Sequence, residues 1–208
     1  MKQLTEKNKK IITSIIIAII LIGIVVTVAL GFNKELKYKN SQRIDISIET
    51  EVDRKKVKEI ANEVLGKNNM VETIEIYQDL ISIRAEKITD EQKESIISKL
   101  KENYEFKQTA EDTEIVDVFE TRIVDMYKKY VVPFCISGVL ILVYMVIRYY
   151  KKGILKVLAR TIAIPVIGEL FLLSIITITR IPLGRFTPVL VICTYIATIA
   201  IVIRENEK

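Results

Sequence analysis

The sequence predicts an α-helical membrane protein with four transmembrane helices and an α+β domain between the first and second. Three observations predict it. First, charge is segregated. Half of the 208 residues are hydrophobic, yet 27% are charged. Residues 32–130 hold 18 Lys and Arg against 22 Asp and Glu, while the remainder holds 13 against 4. Second, four apolar runs of 17 to 20 residues lie outside that charged block. Third, apolar residues inside the block alternate at the periods of strands and helices. Such a pattern excludes a purely cytosolic enzyme, a collagen-like chain and a wholly disordered one.

Ile11–Leu30 is uncharged and long enough to cross the hydrocarbon core as a helix. Lys2, Lys7, Lys9 and Lys10 precede it, and no small-residue cleavage site follows, so it reads as an uncleaved anchor. Val131–Ile147 is the second span, with Pro133 in its first turn, where a missing N–H costs little. Thr161–Thr179 is the third, interrupted by Glu169. Phe186–Ile203 is the fourth, with Pro188 in its first turn. All four are helices, since lipid leaves no solvent for unpaired backbone groups. Glu120–Tyr130 is expected to lead helically into the second span.

Arg148, Lys151, Lys152, Lys156 and Arg160 fill the loop between spans two and three, with no acid among them. Only Arg180 and Arg185 lie between spans three and four. The positive-inside rule then puts both termini in the cytoplasm and residues 32–130 outside a plasma membrane. Tyr149, Tyr150, Lys151 and Lys152 read as an interface anchor, and Arg180 and Arg185 as snorkelling cations at the other interface. The organisation is residues 1–31, a cytoplasmic stretch and anchor; 32–130, the outer domain with its connector; and 131–208, three spans and a short tail.

Within the outer domain, Arg43–Glu49 alternates, with Ile44, Ile46 and Ile48 on one face of a half-buried strand. Asp53 caps a helix in which Val57, Ile60, Ala61, Val64 and Leu65 share one face, and Gly66 ends it. Val71–Tyr77 and Leu80–Glu86 read as a hairpin turning at Gln78 and Asp79. Thr89 and Gln92 have the spacing of a capping box, ahead of a helix presenting Ile96, Ile97, Leu100 and Tyr104. Thr113–Phe119 is a final strand. The order β-α-β-β-α-β is the ferredoxin-like split βαβ pattern. It buries one sheet face under two helices.

Chemistry-bearing patterns are sparse. The chain has no His, which removes the commonest metal ligand and the usual general base. Cys135 and Cys193 lie in apolar runs and read as small packing residues. No metal site, cofactor loop or nucleophile–base pair stands out, so no enzyme and no cofactor is expected. The basic excess flanks the spans, where topology explains it, and gives no reason to expect nucleic acid. Glu169 is the one ionisable group deep in a span. A carboxylate at that depth is protonated, paired or turned to the bundle interior. The expectation is a protonated side chain bonded to a Thr or Tyr of a neighbouring helix, or to a partner subunit. The other reading is a displaced proton carrier. Thr194 and Thr198, one turn apart on the fourth span, are expected to hydrogen-bond across helices.

Three short stretches carry a resemblance. Gly31-Phe32-Asn33 follows the first span, and Leu36-Lys37-Tyr38 precedes the isoleucine strand. Leu140–Tyr150 reads LILVYMVIRYY, and Ile203-Arg204-Glu205-Asn206 closes the fourth span. Together with one span, an outer domain and several further spans, these resemble the SecF half of the SecD/SecF protein-export accessory complex. The resemblance implies a SecD-like partner, contact with the translocation channel and binding of unfolded preprotein at the bilayer. It also has departures. The family has six spans, so four imply a reduced form or a shortened gene product. Its Asp-Phe-x-Gly-Gly signature falls here at Lys37-Tyr38-Lys39-Asn40-Ser41, and its Val-Gly-Pro near Phe119-Glu120-Thr121. Its membrane aspartates fall at Tyr195, Ile201 and near Ile164, so proton coupling is left without its residues. Two other readings compete. FtsX-like permease-type proteins also have four spans and an outer domain after the first, but need a cytoplasmic ATPase and usually a longer N-terminus. An adhesion or sensor module is the third.

Overall fold

The computed structural model describes residues 6–48, 52–74 and 77–207. Two compact units make up the chain: Lys34–Arg122, and Met1–Asn33 with Ile123–Lys208.

The first of these is built from β1 (Ser41–Ser47), α2 (Arg54–Leu65), β2 (Asn69–Ile74), β3 (Tyr77–Ala85), α3 (Asp90–Asn103) and β4 (Ile115–Val118). The strands form one antiparallel sheet in the order β2-β3-β1-β4. Alternation puts Ile44, Ile46, Ile48, Ile81 and Ile83 on one face, all wholly buried. Val57, Ile60 and Ala61 of α2 and Ile96, Ile97 and Leu100 of α3 close over them. Each such side chain contributes roughly 1.5–3 kcal/mol when taken fully from water. Local signals fix where the helices start and stop. Asp53 accepts from the Lys55 N–H at 2.9 Å, and Gly66 ends α2 at φ +78°, a conformation that favours glycine. Thr89 and Gln92 form the reciprocal capping box, with bonds of 3.3 and 3.0 Å.

The hairpin turns earlier than the sequence suggests. Gln78 and Asp79 both belong to β3, and Ile74 pairs with Tyr77 after a register shift at Thr73/Ile74. Gln-Asp supplies no residue suited to the positive φ of a tight turn, and the pair falls instead in the irregular stretch of β3 between the Thr73↔Ile81 and Ile74↔Tyr77 pairs. Residues 75 and 76, and Glu49 at the predicted end of β1, lie outside the described residues.

A side chain completes one sheet edge. β4 pairs with β1 only as far as Ile44↔Ile115. Beyond that point Gln108 stands in for a strand. Its Oε1 accepts from the Ser47 N–H at 2.7 Å, and its Nε2 donates to the Asp45 carbonyl at 3.2 Å and to Thr113 Oγ1 at 2.9 Å. A carboxamide has both the donor and the acceptor this needs. Gln108→Ala is therefore expected to lower the stability of this unit by about 1–3 kcal/mol. Faster amide hydrogen exchange at Ser47 in the full chain checks it, with Gln108→Glu, which keeps the acceptor alone, falling between.

The other unit is helical: α1 (Glu6–Leu30), α4 (Ile123–Tyr149), α5 (Ile154–Ile178) and α6 (Thr187–Glu207). Each is long and apolar enough to cross a membrane, which marks a multi-pass membrane protein. Because α4 starts at Ile123, Pro133 lies inside it and not in its first turn. The helix takes in the expected lead-in from Ile123 onward, which is why the proline is no longer in a first turn, and the ring removes the N–H that would bond Lys129's carbonyl. Pro165 interrupts α5 in the same way, whereas Pro188 does occupy the first turn of α6.

Candidate functional site

Within the helical unit, α5 packs against α1, α4 and α6. Small residues make its two closest approaches. Gly23 of α1 faces Ser174. A Cβ at Gly23 would overlap the serine's Cβ and Oγ and lie 2.6 Å from its Cα. One turn on, Thr27 Oγ1 stands 3.3 Å from Thr177 Oγ1. Toward α6, a Cβ at Gly168 would overlap the methyl of Thr198, with that of Thr194 at 3.7 Å. Without a hydrophobic drive between helices in lipid, close packing of this kind holds them together.

Thr194 and Thr198 thus act through their methyl groups, against expectation. The Thr198 hydroxyl donates to the Tyr195 carbonyl of its own helix at 2.8 Å. Thr161, Ser174 and Thr177 bond back in the same way to carbonyls one turn before them, at 2.7–2.8 Å. Back-bonding of this kind satisfies the donor of each hydroxyl within its own helix, and of these only Thr177 also meets a neighbouring helix among the described residues, as acceptor from Thr27.

The consequence falls on Glu169, adjacent to Gly168. The residue is half-buried, but both carboxylate oxygens are fully covered and neither has a hydrogen-bond partner among the described residues. The expected bond to a Thr or Tyr of a neighbouring helix is absent. Glu169 lines a cavity of about 380 Å³ with Gly138, Thr161, Pro165 and Tyr195. A larger apolar cavity of about 710 Å³ adjoins it, bounded by Tyr127, Val131, Ile141, Val191 and Ile199. Phe134, Cys135, Leu173 and Tyr195 line both. Among the described residues no cluster of three or more His, Cys, Asp or Glu side chains forms. Tyr195 and Cys135 are the other titratable groups on this cavity, and among the described residues no second carboxyl and no Lys or Arg lines it. Cys135 and Cys193 are free and exposed on the helical unit, and Cys135 also lines both cavities.

The other sequence-predicted residues sit at opposite ends of the bundle. Gly31 (φ +63°) ends α1, and its carbonyl accepts from Arg180 Nη1 at 2.7 Å. Asn33 Nδ2 donates to the Arg180 carbonyl at 2.9 Å, and the Leu183 N–H donates to the Asn33 carbonyl at 2.8 Å. Arg180 (φ +55°) is therefore a clasp between α1 and the α5–α6 loop, and not a freely snorkelling cation. At the far end, Arg160 Nη1 donates to the Glu205 carbonyl at 3.3 Å and lies 3.5 Å from Asn206 Oδ1. Asn206 is 1% exposed and bonds back to the Val202 carbonyl at 3.0 Å, whereas Arg204 faces outward. Arg148 pairs with Glu207 at 3.5 Å and also bonds the Tyr144 hydroxyl.

Sequence reasoning missed the packing residues Gly23, Ser174 and Gly168. Their signal was small side chains within long apolar runs, the composition of close helix crossings. A scan against protein-family models and a search of curated proteins found no match to this chain.

Proposed function

We propose that the chain is a SecF-like accessory subunit of the protein export machinery, acting with a SecD-like partner at the translocation channel. The observation that carries this reading is the architecture. One candidate span precedes a β-α-β-β-α-β unit whose sheet order is β2-β3-β1-β4, and three candidate spans follow. That strand order, with both helices over one face, supports a ferredoxin-like domain. Two of the SecF-like stretches also occupy constrained positions: Gly31-Phe32-Asn33 in the Arg180 clasp, and Asn206 in the buried end of α6. On this reading the sheet domain lies outside the plasma membrane, both termini are cytoplasmic, and the domain binds or restrains emerging unfolded preprotein. The reading does not include proton coupling, since no second carboxyl lines the Glu169 cavity among the described residues.

The four-span count itself favours one alternative, an FtsX-like permease-type protein relaying a signal between a cytoplasmic ATPase and the cell wall. Crosslinked affinity purification of the tagged full-length chain from native membranes separates the two. Recovery of a SecD-like subunit and the translocation channel is the expected outcome. Recovery of a cytoplasmic ABC-type ATPase in their place would overturn it. Recovery of neither would reduce the chain to a membrane-anchored sheet domain.

A further inference from the structure

The turn between α4 and α5 holds cations that no described residue neutralises. α4 ends at Tyr149, a 3₁₀ turn covers Tyr150–Lys152, Gly153 (φ +93°) redirects the backbone, and α5 opens at Ile154. Residues 148–160 contain five basic residues and no acid. Arg148 and Arg160 are committed to α6, through Glu207 and the Glu205 carbonyl. Lys151, Lys152 and Lys156 are all exposed, and none has an ion pair or hydrogen bond among the described residues. Lys151 has only a ring contact, 5.9 Å from the centre of Tyr150.

Apolar side chains project beside them. Leu155 is 83% exposed, and Tyr150 and Ile154 are more than half exposed. Their position relative to the bilayer follows from length. At 1.5 Å per residue, the 25 residues of α5 span about 37 Å against a hydrocarbon core of about 30 Å. The apolar body of α5 runs from Thr161 onward, so the surplus falls in its first two turns. Ile154, Leu155 and Lys156 therefore stand at the boundary between hydrocarbon and headgroups, with Lys151 and Lys152 just beyond.

We propose that this elbow binds the phosphate of an anionic phospholipid, with Lys151, Lys152 and Lys156 on the headgroup and Ile154 and Leu155 against the acyl chains. Three unneutralised cations attract a negative group, and the exposed Leu155 and Ile154 select one that carries hydrocarbon. A soluble phosphate satisfies only the first requirement. The site does not rest on the export reading, because it needs no partner protein.

Native mass spectrometry of the full chain, released from neutral detergent with defined lipid, tests it. Dioleoyl-phosphatidylglycerol is expected to be retained in preference to dioleoyl-phosphatidylcholine. The variant K151Q/K152Q/K156Q is expected to lose that preference, at about fivefold for each lysine removed. Its melting temperature in phosphatidylcholine should stay that of the wild type, because none of the three has an ion pair or hydrogen bond to lose among the described residues. Leu155→Ser should weaken retention of phosphatidylglycerol with the charges intact. Inorganic phosphate should not displace the lipid at equal concentration. The proposal is overturned if the triple variant keeps its preference, or if K128Q/K129Q at the other end of α4 abolishes it equally. Displacement by inorganic phosphate would likewise overturn it, showing a free-anion site.

Discussion

Gly23→Ala is expected to detach α1 from α5 and to cost more than any other single methyl added to the helical unit. The added carbon would overlap Ser174's side chain and lie 2.6 Å from its Cα. A side chain can rotate away, but a backbone atom moves only if one helix shifts. Overpacking a tight contact costs about 1–3 kcal/mol, and the backbone clash puts this case at the upper end. Thermal unfolding of the purified protein in mild detergent should show the loss. A second-site test gives the result its meaning. Ser174→Gly removes the serine's Cβ and Oγ but leaves the Cα in place, so it should not restore Gly23→Ala. Gly168→Ala is the contrasting case, since its obstacle is only the Thr198 methyl. Thr198→Ser removes that methyl, keeps the hydroxyl that bonds Tyr195, and should restore stability. An unchanged melting temperature in Gly23→Ala would mean that the two helices are not in the contact described.

The second large effect has the opposite sign. Glu169→Leu is expected to stabilise the protein. Its oxygens are covered and have no hydrogen-bond partner among the described residues, so the substitution breaks no bond within the chain. It also removes an acidic group from membrane depth, a burden of about 2.5–3.5 kcal/mol on insertion scales. That figure is the ceiling of the gain. Glu169→Gln should leave export unchanged in cells if the chain is an accessory without proton coupling, and a strong secretion defect would overturn that view. Destabilisation of the leucine variant in native membranes, with stabilisation in detergent, would reveal a partner for the carboxyl outside this chain.

Legibility from the sequence divided along physical lines. Period-2 and period-3.6 patterns in water are enforced by burial, so Ile44, Ile46 and Ile48 and the α2 face were readable directly. The Asp53 cap and the Thr89–Gln92 box were readable because they are local, within three residues. Spans were readable by length, but their limits were not. The helical lead-in expected before the second span joins it without a break, so α4 starts at Ile123 and Pro133 lies inside it. The Glu169 surroundings were the least legible part. Whether a threonine hydroxyl crosses to a neighbour or bonds its own helix leaves no trace in composition. The Arg180 clasp was equally hidden, since it joins residues 149 apart in the chain.

The α1–α5 contact also has a consequence for biogenesis. Thr27 and Thr177 are separated by 150 residues. Ribosomes deliver about 5–20 residues per second, so α1 enters the bilayer on the order of ten seconds before its partner is made. During that interval the face bearing Gly23 and Thr27 has no cognate surface to close on. The order of synthesis therefore makes the first helix an orphan, and the small-residue face that later secures it is the one open meanwhile to the wrong neighbour.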